Sequence, residues 1–300
     1  MVAAVIVLYN PNMSLLDRLL RSVTGQLDQI FVIDNTPGPA ECGSTYFDQY
    51  RGNILYVPLG ENKGIATAQN VGIRLSIDAG HSHVILLDQD SALPSDMAMK
   101  LLDAENELVR QGKQVAAVGP LFVDEKTGKM SYAVRHSWLR VRRISIHPSA
   151  TEPVETDYLI ASGSLIRVSV FEQIGMMSDE LFIDWVDVEW CHRARSYGLH
   201  SYVVPNVTMA HSVGDRTVRV LGKDINLHND IRNYYIVRNA TFLLKDKRMG
   251  WRWRLYITRW LPKYLFLRFL LAPQRWRTLS LLSIAFLDGL SGNMKRFSQE

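Results

Sequence analysis

Cysteine is nearly absent: in 300 residues only Cys42 and Cys191 occur, with no C-x-x-C spacing. A disulfide framework and a thiolate metal site are thereby excluded, and such sparing use suits a reducing cytoplasm. No secretory leader is legible either. The opening "MVAAVIVLYNPN" lacks a basic region and a cleavage site and halts at Tyr9-Asn10-Pro11, so it reads as a first strand. Nor does any stretch reach the roughly 18 uncharged apolar residues needed to cross a bilayer. The nearest, 255–271, is interrupted by Arg259, Lys263 and Arg268. Repeats, low-complexity tracts and Gly/Ser linkers are missing as well. Acid is missing locally: none lies between Arg248 and Arg277, where Trp251, Trp253, Trp260 and Trp276 are interleaved with arginines and a lysine.

What is present is globular. A hydrophobic share of 47% with 21% charged residues permits a sizeable core, and the length fits one large domain with an appendage. The net charge of +4 is mild and unevenly spread, with the excess in the C-terminal tail. That tail reads as a helical segment over 246–300 that either lies on an anionic membrane surface or packs on protein, including a second copy in a homo-oligomer. A pI of about 9.0 raises nucleic acid as a partner. Because the basic residues are confined to the tail and to 135–143, and the best cleft is acidic, no nucleic-acid partner is expected.

Short apolar runs at 3–9, 29–35, 53–59, 83–90 and 114–123 alternate with helical stretches. Near-continuous apolar strands with intervening helices predict a Rossmann-like sheet covered on both faces, with ligands outside the carboxyl ends of the strands. Asn10, Asp34, Asn35, Asn62, Asp88 and Asp90 all fall at such ends. The basic stretch "RHSWLRVRR" (135–143) reads as a surface excursion.

Three constellations carry chemistry. In "ILLDQDS" (85–91), Asp88 and Asp90 share a face if the strand stays extended, and a carboxylate pair suits Mg²⁺ or Mn²⁺. Either one capping the next helix is the plain alternative. "ENKGIATAQNVG" (61–72) is a turn into a helix whose N-terminus would face an anion, with Ile65, Gln69 and Gly72 on a face open to approach. "DELFIDWVDVEWCHRAR" (179–195) sets Asp184, Asp187 and Glu189 among aromatics. A helix there would put Asp184 and Asp187 on one face and pair Glu189 with Arg193, while a partly desolvated Asp187 would make a competent base. His211 is a possible metal or phosphate ligand.

Taken in order over roughly residues 3 to 245, these segments resemble the inverting family 2 glycosyltransferases, and most closely the bacterial rhamnosyltransferases among them. The resemblance implies a GT-A type Rossmann-like mixed sheet flanked by helices, a catalytic domain over 1–245 and the helical tail over 246–300. It assigns Tyr9, Asn10, Asp34 and Asn35 to base and ribose, and Asn62, Gly64, Asn70 and Asp88 to the nucleotide sugar. Ser162 and Gly163, in "ASGS", fall on the strand lining the sugar and acceptor cleft. Asp90 ranks as the direct metal ligand beside His211, and Arg232 or Arg238 as a phosphate contact. Asp187 becomes the catalytic base. Val186 replaces the acid that many relatives carry before it, leaving Asp184 or Glu189 as substitutes.

The implied reaction is metal-dependent, inverting transfer of L-rhamnose from dTDP-rhamnose to a cell-surface polysaccharide or lipid-linked glycan acceptor. The implied location is cytoplasmic, peripheral on the inner face of a bacterial plasma membrane. A UDP-hexose donor on the same machinery, and a non-catalytic membrane-attached glycan-binding protein, are the rival readings.

Overall fold

The computed structural model describes residues 1–38, 43–50, 53–124, 128–137, 141–211, 216–220 and 223–297, with backbone alone for 211, 216–220 and 223–227. The elements run β1 (Val2–Leu8), α1 (Met13–Val23), β2 (Gln29–Asp34), β3 (Ile54–Pro58), α2 (Ile65–Asp78), β4 (His83–Asp88), α3 (Met97–Arg110) and β5 (Val115–Asp124). They continue through β6 (Tyr132–His136), β7 (Val141–Ser145), β8 (Val154–Thr156), β9 (Leu165–Arg167), α4 (Val168–Ile174) and α5 (Val186–Ser196). Then follow β10 (His200–His211), β11 (Arg216–Val220), β12 (Lys223–Leu227), α6 (Asp230–Leu243), α7 (Trp251–Leu271) and α8 (Arg275–Ser291).

Eight strands form one sheet in the order β3-β2-β1-β4-β9-β5-β10-β8, while β6–β7 and β11–β12 are separate ribbons. The first four strands of the chain pair in parallel, as do β5 and β10. The sheet is mixed because β9 runs antiparallel to β4 and β5, and β8 antiparallel to β10.

Every residue of β1 is buried, which is why its sequence shows no polar alternation. Ala3, Val5 and Val7 face one core, shared with Ala66 and Ile73 of α2 and Trp190 of α5. Ala4, Ile6 and Leu8 face the other, shared with Leu16 and Leu19 of α1 and Leu101 of α3. The two-residue period of the strand simply divides an unbroken apolar run between two cores. At Gly72, α2 crosses β1 so closely that a Cβ would lie 2.3 Å from Val5 Cγ1. The glycine expected to admit a ligand instead admits the sheet, and Gln69 beside it is buried.

Of the described parts of 135–143, Arg142 and Arg143 on β7 are exposed as a surface excursion would have them, while His136 on β6 is buried. β6 and β7 pair from Tyr132–Ser145 to His136–Val141, and Ala133, Val134 and His136 are buried beneath them. Residues 138–140 lie outside the described ones.

The tail is helical, and its inner side is core. Trp253, Ile257 and Leu261 of α7 and Leu282 and Ala285 of α8 join the cluster that holds α2 and α5. α8 approaches α6 closely at Gly289, where a Cβ would lie 2.4 Å from the Arg238 carbonyl oxygen. No helix among the described residues is long and apolar enough to cross a membrane.

Candidate active site

The parallel order places the carboxyl ends of β2, β1 and β4 side by side, and hydrogen bonds tie them together. Asn35 N donates to Leu8 O at 2.8 Å and Asn10 N to Thr36 Oγ1 at 2.9 Å. Tyr9 is 46% exposed at this rim, and Asn10 takes a left-handed conformation with φ 45°. Gln89, between the two aspartates, reaches the backbone of Tyr9 from both sides: its Oε1 accepts from Tyr9 N at 2.7 Å and its Nε2 donates to Tyr9 O at 3.1 Å. That reciprocal clamp fixes the D-Q-D turn against β1.

β4 ends at Asp88, and Ser91 N donates to Asp88 O at 3.1 Å, closing a turn. The extended geometry expected to carry Asp88 and Asp90 onto one face therefore stops at Asp88. Both residues are partly exposed at the strand end. Arg18 Nη2 donates to the Asp90 carbonyl at 3.1 Å. Ser162 lies beneath them, only 1% exposed, with its Oγ accepting from Asp88 N at 3.2 Å and bonded to Ser91 Oγ at 2.7 Å. Ser162 and Gly163 occupy a turn before β9 rather than a cleft-lining strand. Gly163, at φ 77°, donates its N–H to Leu86 O at 2.7 Å. This pair supports the acidic turn from below.

The turn before α2 is held from β2. Asn35 Nδ2 donates to Asn62 Oδ1 at 3.0 Å, Asn35 Oδ1 accepts from Lys63 N at 2.7 Å, and Asn62 Oδ1 also accepts from Gly64 N at 3.0 Å. Asp34 points inward: 1% exposed, it accepts from Thr36 N and from the Tyr56 hydroxyl at 2.7 Å. Asn70 departs from its expected place beside the nucleotide. It is buried on α2, where its carboxamide donates to Met177 O and to Asp179 Oδ1, both at 2.8 Å, and accepts from Met177 N at 2.9 Å. The first helical N–H of α2 is taken as well, by Phe182 O at 2.7 Å.

That carbonyl belongs to the loop delivering Asp187. Phe182, Asp184 and Trp185 have φ of 63°, 61° and 65°, conformations that L side chains rarely adopt. The helix starts only at Val186, so Asp184 lies in the loop and not on one helical face with Asp187. α6 holds the strained segment in place. Asn239 Nδ2 donates to the carbonyls of Leu181, Ile183 and Asp184 at 2.7, 2.8 and 3.1 Å. Arg238 Nη2 donates to those of Glu180 and Leu181 at 3.0 and 3.1 Å, and its Nη1 to Met294 and Lys295 at 3.3 and 2.9 Å. Arg238 is 0% exposed and lies over the Tyr235 ring at 4.7 Å. Burial excludes it from a phosphate and makes it a brace of the loop. Arg232 pairs with Asp184 at 3.1 Å, and Trp185 donates its Nε1–H to Ile236 O at 3.0 Å.

Asp187 opens α5 with Oδ1 accepting from Val188 N at 2.8 Å. Its back is apolar, a small cavity lined by Leu86, Leu159, Ala161, Trp190 and Cys191. Burial raises its pKa to about 6; the N–H groups of Val188 and Ala161 oppose the rise, and the charges of Asp184 and Asp88 add to it. A carboxylate held near 6 is mostly ionised at neutral pH yet more basic than a surface aspartate. Glu189 does not share the site. It is 1% exposed and paired with Arg193 at 2.8 Å.

Among the described residues no group of three His, Cys, Asp or Glu side chains gathers as a metal cage. His211 ends β10, and its side chain lies outside the described ones. Asp88 and Asp90 supply two hard oxygen donors of the kind Mg²⁺ and Mn²⁺ prefer, so the donor set is compatible with such an ion. Sequence reasoning did not mark Gln89 or Asn239 as contributors, since each acts through backbone groups that only the folded chain brings near.

A doubly covered α/β sheet, an acidic turn at a strand end and a partly desolvated carboxylate within electrostatic reach of it fit a group-transfer enzyme with an anionic donor. The sequence matches the description "Glycosyl transferase family 2" over residues 3–175. The chain belongs to that family and is a glycosyltransferase. It is 35% identical over 252 residues to the dTDP-rhamnosyl transferase RfbF of Shigella flexneri, covering 82% of this chain and 80% of that protein. It is 27% identical over 263 residues to N-acetylglucosaminyl-diphospho-decaprenol L-rhamnosyltransferase of Mycobacterium tuberculosis, covering 77% and 81%. The fold resembles GalNAc-T7 solved with UDP, GalNAc and Mn²⁺, with TM-score 0.62 and 16% identity. That match covers 97% of this chain but 56% of that one, so the chain spans little more than half of it. Staphylococcus aureus TarS 1-349 with UDP-GlcNAc aligns with TM-score 0.55 and 12% identity over 98% of this chain and 82% of that one.

Proposed function

We propose that this chain transfers L-rhamnose from dTDP-rhamnose, with inversion, to a hydroxyl of a glycan or lipid-linked glycan in cell-surface polysaccharide synthesis. The observation that carries the reading is the placement of Asp187: a carboxylate raised to about 6, within electrostatic reach of Asp88 at the end of β4. Asp187 accepts the proton of the acceptor hydroxyl as that oxygen bonds to the anomeric carbon, and the bond from that carbon to the diphosphate oxygen breaks with the electron pair leaving on the diphosphate. Attack opposite the leaving group inverts the centre, and no covalent enzyme intermediate is required. Asp88 and Asp90 would hold Mg²⁺ or Mn²⁺, whose charge offsets that of the diphosphate. Tyr9 and Asn62 would form the rim against which the nucleotide lies, with Asn35 and Gly64 buried behind it holding the turn. Rhamnose as the sugar, and dTDP as its carrier, rest on the names of the two relatives.

Residues 1–245 would carry this chemistry, and 246–300 would attach the protein peripherally to the cytoplasmic face of the plasma membrane, where a lipid-linked acceptor is presented. The test is a thermal-shift and turnover panel of dTDP-rhamnose, other dTDP-sugars and UDP-hexoses, each with and without Mg²⁺ or Mn²⁺. Stabilisation and turnover with dTDP-rhamnose are expected. Turnover with a UDP-hexose alone would replace the donor, and an unchanged response after metal removal would remove the cation from the scheme.

A further inference from the structure

We infer that the outward faces of α7 and α8 form a docking surface for an anionic lipid bilayer, holding the protein flat on the membrane without crossing it. The inference gives residues to the peripheral placement just proposed and rests on that reading only for the place where the enzyme works.

Each helix of the pair has two unlike sides. On α7 the buried positions are Trp253, Ile257, Leu261 and Arg268, and on α8 they are Thr278, Leu282, Ala285 and Gly289. The opposite side of α7 carries Arg252, Tyr256, Arg259, Lys263, Phe266 and Leu270, all exposed and spaced by three or four residues, hence on one stripe. The stripe is cationic in its first half and apolar in its second, with Phe266 64% and Leu270 43% exposed. The opposite side of α8 carries Trp276, Ser280, Ser283, Leu287 and Leu290 at the same spacing, flanked by Leu279 and Ile284. Trp276 is 76% and Leu287 61% exposed. Three residues, 272–274, join the helices, and Phe269 meets Trp276 edge-on at 5.6 Å near the bend. Phe266, Leu270 and Trp276 thus make an apolar tip, with Arg275 and Arg277 beside it.

A water-facing helix surface with this much exposed apolar area is a site of contact. The charge pattern selects the bilayer. From Arg248 to Leu287 there is no Asp or Glu, and Asp288 of α8 accepts from the buried Tyr234 hydroxyl at 2.6 Å on the inner side, so the charges of the stripe are positive. In a two-fold contact the face would meet itself, setting cations either against cations or against the apolar half of the stripe. A nucleic acid would leave the aliphatic and aromatic stripe in water. An anionic headgroup layer satisfies both halves, drawing the cations to its surface and receiving the apolar tip in its acyl boundary.

The same helix touches the catalytic loop from its inner side. Trp253 and Trp260 each pack edge-on against Trp185 at 5.7 Å, two residues before Asp187. One helix thickness, about 10 Å, therefore separates the docking face from the loop that delivers the base. An acceptor on a lipid anchor would meet Asp187 without leaving the membrane surface.

Co-sedimentation of the full chain with vesicles of phosphatidylglycerol and phosphatidylethanolamine tests the surface, with phosphatidylcholine vesicles as control. The protein is expected to pellet with the anionic vesicles at low salt and to be released by high salt. The variant F266S/L270S/W276S/L287S, altered only at exposed positions, should lose about tenfold or more in vesicle partitioning while keeping the parent's melting temperature and its shift with dTDP-rhamnose. Full-length protein that stays in the supernatant at low salt overturns the inference, as does a variant that pellets like the parent. Light scattering that shows a dimer dissolved by the four substitutions would reassign the face to self-association and overturn it equally. Should the parent pellet but give no response to dTDP-rhamnose, the donor assignment falls and the docking surface stands.

Discussion

The side-chain nitrogen of Asn239 lies 2.7 Å from the carbonyl oxygen of Leu181, and the same amide reaches the carbonyls of Ile183 and Asp184. One buried residue of α6 thus satisfies the backbone of a loop that passes through three left-handed, non-glycine conformations. Conformations of that kind cost on the order of 1–3 kcal/mol each and persist only when the surroundings over-determine them. Replacing Asn239 by Leu takes this donor from the Ile183 and Asp184 carbonyls and leaves Leu181 O with Arg238 alone, at a cost of about 2–4 kcal/mol, and the loop is expected to relax. Turnover should fall by roughly tenfold or more as Asp187 loses its position. Calorimetry and kinetics together check this: a variant with a normal melting temperature and normal kcat would show that the loop is held elsewhere.

Asp187 ties activity and stability to the same proton. Its pKa is raised to about 6, so the basic form is lost as pH falls through that value and kcat/KM should decline there. Stability runs the other way. A carboxyl whose pKa is higher in the folded than in the unfolded chain favours folding most below the unfolded pKa near 4, and that contribution is lost as pH rises through about 6. Asp187→Asn should therefore abolish transfer, leave the donor-induced thermal shift nearly intact, and stabilise the fold at neutral pH by on the order of 1 kcal/mol. The stabilisation should vanish near pH 4. Turnover within tenfold of the parent would remove Asp187 from the base's role.

The strand ends were legible because each apolar run breaks at a polar residue, and a short unbroken run rich in β-branched residues reads as a strand covered on both sides. β9 was not legible: three residues, Leu165–Arg167, inserted antiparallel between β4 and β5, leave no periodic trace. At the site, residue type misled wherever burial decided the role. Asn70 and Arg238 have groups that suit a nucleotide, yet both spend them on backbone carbonyls, and no sequence pattern separates a brace from a ligand. Gly64, expected beside the nucleotide, has a demand placed on it by the turn itself. Its φ of 86° and the 2.6 Å separation between an added Cβ and Phe182 O show why the turn requires glycine. What it admits is the neighbouring loop.

Gln89 offers a test of positioning. Its amide grips both polar groups of Tyr9, so Gln89→Ala removes two hydrogen bonds that fix the acidic turn without removing either carboxylate. At about 1 kcal/mol per bond, the donor KM should rise several-fold to tenfold while kcat changes less. Gln89→Glu can accept from Tyr9 N but cannot donate to Tyr9 O, and should recover part of the loss. Equal losses for Ala and Glu would instead point to added charge beside Asp88 and Asp90 as the dominant effect.

Glu189 and Arg193 decide whether the sequence around Asp187 holds a second catalytic acid. The pair is buried, with the Arg193 side chain 8% and the Glu189 side chain 2% exposed, and it is bidentate, with Nε and Nη2 at 2.8 and 2.9 Å from the two carboxylate oxygens. The guanidinium also donates to the carbonyls of Gly175 and Met176 at 3.2 and 2.8 Å, closing the end of α4. An arginine committed in this way is structural, and a lysine could not reproduce its fork. Arg193→Met should leave the buried Glu189 carboxylate with only Arg248, 3.9 Å away, and cost about 3–5 kcal/mol, lowering the melting temperature by roughly 10 °C. Glu189→Gln is expected to lower it less, with kcat per folded molecule unchanged. A Glu189→Gln protein that melts like the parent but turns over a hundredfold more slowly would restore Glu189 as the auxiliary acid and leave Asp184, held by Arg232, as the structural member.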